Sequence, residues 1–224
     1  MRSTQWSLVL RAGRGSAAAL DQLCGVYWFP VYAYLRRVGH DTEDAREHTQ
    51  EFFAGVLRRD DLARVTQEGG RFRDWLFVAV RRHHGRARAK ARADKRQRIE
   101  VGDPEERLRR LAAPGLDPEQ TFQRQWALAV LDAARRRLRD TYVARGDEAV
   151  FDALRPGLLG EGRPHREVAE ALGLSPGAVR VAAHRLKARY GEALRAEIAD
   201  TLDDADQVDD ELQQLLRALS APAR

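Results

Sequence analysis

Apolar positions recur at helical spacing along almost the whole chain, and no segment alternates convincingly as a strand would. Residues 17–38 place Leu20, Leu23, Cys24, Tyr27, Val31, Tyr34, Leu35 and Val38 inward, with Pro30 expected to bend or interrupt that helix. "GHDT" breaks the pattern, after which Asp41 or Thr42 caps a second helix reaching about residue 59. A third starts near Phe72, buries Phe72, Leu76, Ala79 and Val80, and runs on into a basic block. Between residues 99 and 117 the periodicity fades. "VGDPEE" and "AAPGLDPEQ" supply the Pro and Gly punctuation of a linker. Asp117 followed by Gln120 has the form of a capping box, opening a fourth helix with Phe122, Trp126, Val130 and Ala133 on one face. A shorter helix from Asp147 buries Val150, Phe151 and Leu154, and helices over 165–172 and 176–195 follow. The pattern predicts an all-α fold of two small helical domains, 1–98 and 118–196, joined by a linker over 99–117. An acidic extension over 197–224, solvated or ending in a short helix near 212–219, completes the chain.

Charge sharpens this outline. The net charge is only +5, but residues 81–98 hold nine Arg or Lys against one Asp, whereas 197–211 hold eight acidic residues and no cation. A basic block on a helix attracts polyphosphate, and an acidic tail repels it or covers a cationic surface as an intramolecular mimic of DNA. Cys24, the one cysteine, lies in an apolar run and reads as a buried thiol. With no apolar run of membrane-spanning length and no signal-peptide core, the expected location is cytoplasmic, without membrane insertion.

"REVAEALGLSPGAVRVAAHRL" has the grammar of a helix-turn-helix. Val168 and Leu172 give the first helix a buried face, and Ala169 permits close approach of the second. Gly173 ends the first helix left-handed, Leu174 plugs the core, Ser175 caps and Val179 locks the second helix. Val179, Ala183, Leu186 and Tyr190 form its buried stripe. A helix in the major groove meets base edges with its N-terminal half, so Arg180, Val181, His184 and Arg185 are the candidate readers. Lys187 and Arg189 are placed for phosphates. The plainer reading is a helical hairpin with a solvated basic face.

"DTEDAREHTQEFFAGVLRRDDL" carries two faces. Ala45, Thr49, Phe52, Phe53 and Val56 are apolar-facing, while Asp44, Glu47, Gln50 and Glu51 make an acidic edge suited to a basic protein surface. Taken alone, such an edge is equally the solvated side of an amphipathic helix.

The segment "EDAREHTQEFF" resembles the RNA-polymerase-binding helix of bacterial sigma factors, and "GRFRDWLFVAVRR" resembles the next helix of that family. "YWFPVYAYLRR" upstream and "GAVRVAAHRLKARY" near the end are similar too, in the same order, over about residues 5–216. The fit is to small two-domain sigma factors of the extracytoplasmic-function type. That resemblance implies that the first domain binds core RNA polymerase through Asp44, Glu47, Gln50 and Glu51. It implies that the helix continuing through Arg81, Arg82, Arg86, Arg88, Lys90 and Arg92 faces the minus-ten promoter element. The last domain would then bind the minus-thirty-five element through Arg180, Val181, His184, Arg185, Lys187 and Arg189. Arg86 and Ala87 stand roughly where members of the family carry an Asn and an acidic residue.

Core polymerase and promoter DNA are the expected partners, with an anti-sigma factor or other regulator as a further one. The alternative is a helix-turn-helix regulator that binds duplex DNA without polymerase. An enzyme is not expected, because phosphate-binding glycine loops, ligand-spaced His/Cys sets and a nucleophile with a partner His are all lacking. No cofactor or metal is expected either. His83 and His84 are adjacent rather than ligand-spaced and read as part of the cationic surface.

Overall fold

The computed structural model describes residues 8, 11–12, 15–58, 71–90, 115–158, 160–202 and 204–220, and among these every regular element is helical. The helices are α1 (Ala17–Arg37), α2 (Thr42–Arg58), α3 (Phe72–Lys90), α4 (Pro118–Val143), α5 (Glu148–Leu154), α6 (His165–Leu172), α7 (Pro176–Ala199) and α8 (Val208–Ser220). One isolated antiparallel bridge joins Arg71 to Leu202. No helix among the described residues is long and apolar enough to cross a membrane. The expected linker lies almost wholly outside the described residues.

Local chemistry starts and stops these helices. Ser16 accepts from the Ala19 N–H at 3.4 Å to open α1, and Asp41, rather than Thr42, accepts from the Asp44 N–H at 2.8 Å to open α2. At α4 the capping box is reciprocal. Gln120 N–H donates to Asp117 Oδ1 at 2.8 Å, and Asp117 N–H donates to Gln120 Oε1 at 3.0 Å. Of the two outcomes expected at Pro30, interruption does not occur, and helix α1 runs through it. The ring is buried among Phe29, Val31 and Tyr32, so packing of the flanking aromatic turns offsets the one backbone hydrogen bond that proline forfeits.

The chain divides into two compact units, residues Met1–Val130 with Ile198–Arg224, and Leu131–Glu197. The divisions fall inside α4 and α7, so the first unit includes the start of α4 and the acidic C-terminal segment. In that unit Tyr27, Tyr32, Leu35, Ala45, Phe72, Leu76, Val80, Phe122 and Trp126 are all nearly inaccessible to solvent. Tyr27 meets Phe72 edge-on at 5.1 Å, and Phe77 meets Phe122 at 5.1 Å. Cys24 is half-buried rather than buried, and burial, reinforced by Asp21, pushes its thiol up from the ordinary range. The thiolate is therefore disfavoured. The second unit packs Leu138, Tyr142, Phe151, Leu154, Val168, Ala169, Val179 and Leu186 into one core, with Tyr190 donating to the Leu131 carbonyl at 3.1 Å.

Within the first unit the acidic C-terminal segment carries the expected short helix as α8, which packs through Glu211 and Leu215 instead of being solvated all round. Glu211, 1% exposed, bridges Arg71 and Arg73, each at 3.2 Å. Arg73 is itself 4% exposed. It donates to Gln123 at 2.7 Å and to Gln214 at 2.5 Å, and its guanidinium lies 4.2 Å from the Trp126 ring centre. Arg124 donates to the Leu219 carbonyl at 2.6 Å. Arg71 and Arg73 precede the basic block of 81–98, so the contacts described for the acidic segment fall outside that block.

A cation enclosed this way depends on its carboxylate. Burial pushes the Glu211 carboxyl up from its ordinary range, against the pull of Arg73 and Arg71. Glu211→Ala should destabilise the chain by about 3 kcal/mol, because removing one partner of a buried pair leaves the other uncompensated. The double replacement Arg73→Met with Glu211→Leu should recover much of that loss in denaturant unfolding. Equal stability of Glu211→Ala and the parent chain would show that the pair does not hold the segment.

Candidate functional site

The acidic edge is built by α2. Its inward side places Ala45, Thr49, Phe52, Phe53 and Val56 in the core of the first unit, as their spacing predicts. The Thr49 hydroxyl is satisfied by donating to the Ala45 carbonyl at 2.6 Å. With that face fixed, Asp44 and Glu51 are exposed and Glu47 and Gln50 half-buried. The sequence-predicted residues thus share the outer side of one helix, with Asp44 and Glu47 one turn apart and Glu51 a turn beyond. Asp44 and Glu51 present carboxylates to solvent, which suits a cationic partner. Glu51 is also engaged locally, 3.4 Å from His48 Nδ1.

Helix α3, in the same unit, carries Arg81 and Arg82, both exposed. Arg86, Arg88 and Lys90 follow on its last turns, and Arg92 lies outside the described residues. Trp75 is half-buried and stacks on Phe72 at 5.6 Å.

In the second unit, α6 and α7 are joined by a tight turn whose chemistry matches expectation except at Leu174. Gly173 is left-handed at φ 64°, Leu174 N–H donates to the Ala169 carbonyl at 3.0 Å, and Ser175 accepts from Ala178 N–H at 3.2 Å. Val168, Ala169 and Val179 are buried as expected. The Leu174 side chain does not plug the core, being 41% exposed. Its backbone is committed to closing the helix end, and the left-handed residue before it turns the side chain outward. Arg180, Val181, His184, Arg185 and Lys187 are all exposed on α7, Val181 at 50%. Arg189 differs. It is half-buried, with its guanidinium 5.6 Å from the Tyr142 ring, so part of its interaction is spent inside the unit.

One constellation was not foreseen from sequence. Four of the six histidines gather in the first unit, where the turn after α1, the middle of α2 and the second half of α3 meet. His40 Nε2 lies 2.9 Å from His84 Nδ1, and the His40 and His48 rings are 4.7 Å apart. His48 and His83 are 6.2 Å apart, with Phe52 5.7 Å from His83. The adjacency of His83 and His84 therefore conceals two different settings. No linear spacing reveals them, because the partners lie more than one helix away.

Burial, together with repulsion from His48 and His84, pushes His40 down to about 4, against the opposing pull of Asp44 and Asp41. The unfolded chain therefore takes up this proton more readily than the folded one. His40 then contributes stability that is fully present above its ordinary range and lost as pH falls from about 6.5 towards 4. His40→Gln should lessen the fall of melting temperature over that interval relative to the parent chain. Identical pH profiles would refute the assignment.

Comparison of the chain with protein-family profiles, with curated proteins and with solved structures yields no match.

Proposed function

We propose that this chain is an alternative sigma factor of the extracytoplasmic-function type, which binds core RNA polymerase and directs promoter-specific initiation. The observation that carries the reading is the outer edge of α2. There the polar residues of "EDAREHTQEFF" that resemble the family's polymerase-binding helix line one outer edge while its aromatic residues are buried. A rigid acidic edge on a packed helix gives a basic partner both long-range attraction and fixed register. In this reading Asp44, Glu47, Gln50 and Glu51 dock on polymerase.

The DNA contacts belong to α3 and to the α6–α7 pair read as a helix-turn-helix. Arg81 and Arg82, with Arg86, Arg88, Lys90 and Arg92 after them, hold the minus-ten backbone. Arg180, His184 and Arg185 read base edges of the minus-thirty-five element, and Val181 meets a thymine methyl. Lys187 contacts phosphate, and Arg189 assists from beside Tyr142. Support for this division is the exposure of five of those α7 side chains on a helix whose opposite stripe is buried.

Purified chain should co-migrate with core polymerase and support initiation at a cognate promoter. Replacing Asp44, Glu47 and Glu51 together by Lys should weaken core binding on the order of a hundredfold, since juxtaposed like charges cost several kcal/mol. Circular dichroism should stay unchanged. A chain that ignores core polymerase yet occupies duplex DNA unaided contradicts the reading and returns the regulator. Arg180→Ala should lower affinity for the minus-thirty-five duplex roughly tenfold and relax its sequence preference. Uniform weakening across all sequences would demote Arg180 to a phosphate contact.

A further inference from the structure

The histidine cluster also brings together a set of potential metal donors, one of which, Glu51, belongs to the edge assigned to polymerase docking. One ligand atom from each of His48, Glu51 and His83 lies within 4.8 Å of the other two. His48 and Glu51 stand one turn apart on α2, and His83 comes from α3. Two imidazole nitrogens and a carboxylate oxygen form a borderline donor set that favours zinc and its first-row neighbours over magnesium or calcium. Zinc holds such donors tetrahedrally at roughly 2.0–2.2 Å, so two of them on one ion stand about 3.4 Å apart. Side-chain rotation closes the remaining gap, and Glu51, with a side chain 56% exposed and already 3.4 Å from His48 Nδ1, has room to move.

The surroundings favour occupancy by a dication. Phe52 lies against His83 and Tyr34 against His84, giving the rings apolar backing, while Asp44 adds negative charge nearby. Metal-bound imidazoles are held best when their rings are packed in place and oriented by neighbours. We propose that His48, Glu51 and His83 bind a divalent transition-metal ion of the zinc type, cross-linking α2 to α3. Coordination draws the Glu51 carboxylate inward from the outer edge of α2. A regulatory consequence, which rests on the polymerase-docking reading as the site itself does not, is that the metal-loaded chain binds core polymerase more weakly than the metal-free chain.

The test uses the full chain, stripped with a chelator and titrated with Co2+ near neutral pH. One ion should bind per chain with visible ligand-field absorption, and Zn2+ should displace it. His48→Ala and His83→Ala should each weaken binding tenfold or more, whereas replacing His165, an exposed residue of the second unit, should not. Melting curves recorded without metal check that both variants fold, and His48→Gln replaces His48→Ala if the smaller side chain unfolds the unit. Absence of saturable binding by either ion, or binding that survives both substitutions, overturns the site. A second arm measures core-polymerase binding with and without Zn2+. Severalfold weakening by Zn2+ in the parent chain, lost in His83→Ala, supports the regulatory consequence, and equal binding in both states overturns it. Stoichiometric Zn2+ binding by a chain that never engages polymerase leaves the metal site standing and overturns the sigma reading.

Discussion

A single guanidinium organises the first unit. Arg73 is enclosed by Glu211 and Gln214 of α8, by Gln123 of α4 and by the face of Trp126. Taking a cation out of water is costly unless it is paired and hydrogen-bonded, and here two other helices, α4 and α8, supply the partners. The C-terminal segment is thereby tied to the first turn of α3 across 138 residues of sequence. Aromatic packing of α1 against α3 and of α3 against α4 surrounds this polar centre. It positions the helix from which the basic block continues.

The same arrangement separates charges by role. Acidic residues that close the unit, such as Glu211, are buried against arginines, whereas Asp44 and Glu51 are left facing solvent on α2. Buried pairs of this kind specify which segments meet, while exposed charges govern how a partner approaches. The C-terminal segment therefore has a structural use for at least one of its carboxylates. Glu197 shows the same habit in the second unit, where it is buried and pairs with Arg137 at 3.1 Å.

Features governed by neighbours in sequence were legible before the fold was known. The reciprocal cap of Asp117 and Gln120, the left-handed Gly173 and the inward face of α2 all follow from residues within a turn or two of one another. Features that depend on distant partners were not. Nothing near Glu211 distinguishes it from the seven other acidic residues of its run, and only Arg73, far upstream, makes it a core residue. The histidines likewise look scattered until α2 and α3 are brought together. Leu174 failed for the opposite reason. Its apolar character suggested burial, but the hydrogen bond made by its backbone at the end of α6 governs its position. That Pro30 does not interrupt α1 was hidden as well, because burial on either side of it is a tertiary effect.

The proposed sigma function and the proposed metal site converge on α2, which offers one edge to a basic partner and holds two of three metal donors. Whether that edge meets polymerase is most directly read by placing a photo-activated cross-linker at Asp44, an exposed position, and mixing the full chain with core enzyme. The account predicts one dominant cross-link, to a subunit of core polymerase. Cross-linking to no polymerase subunit, with the same chain still bound to duplex DNA, would contradict it.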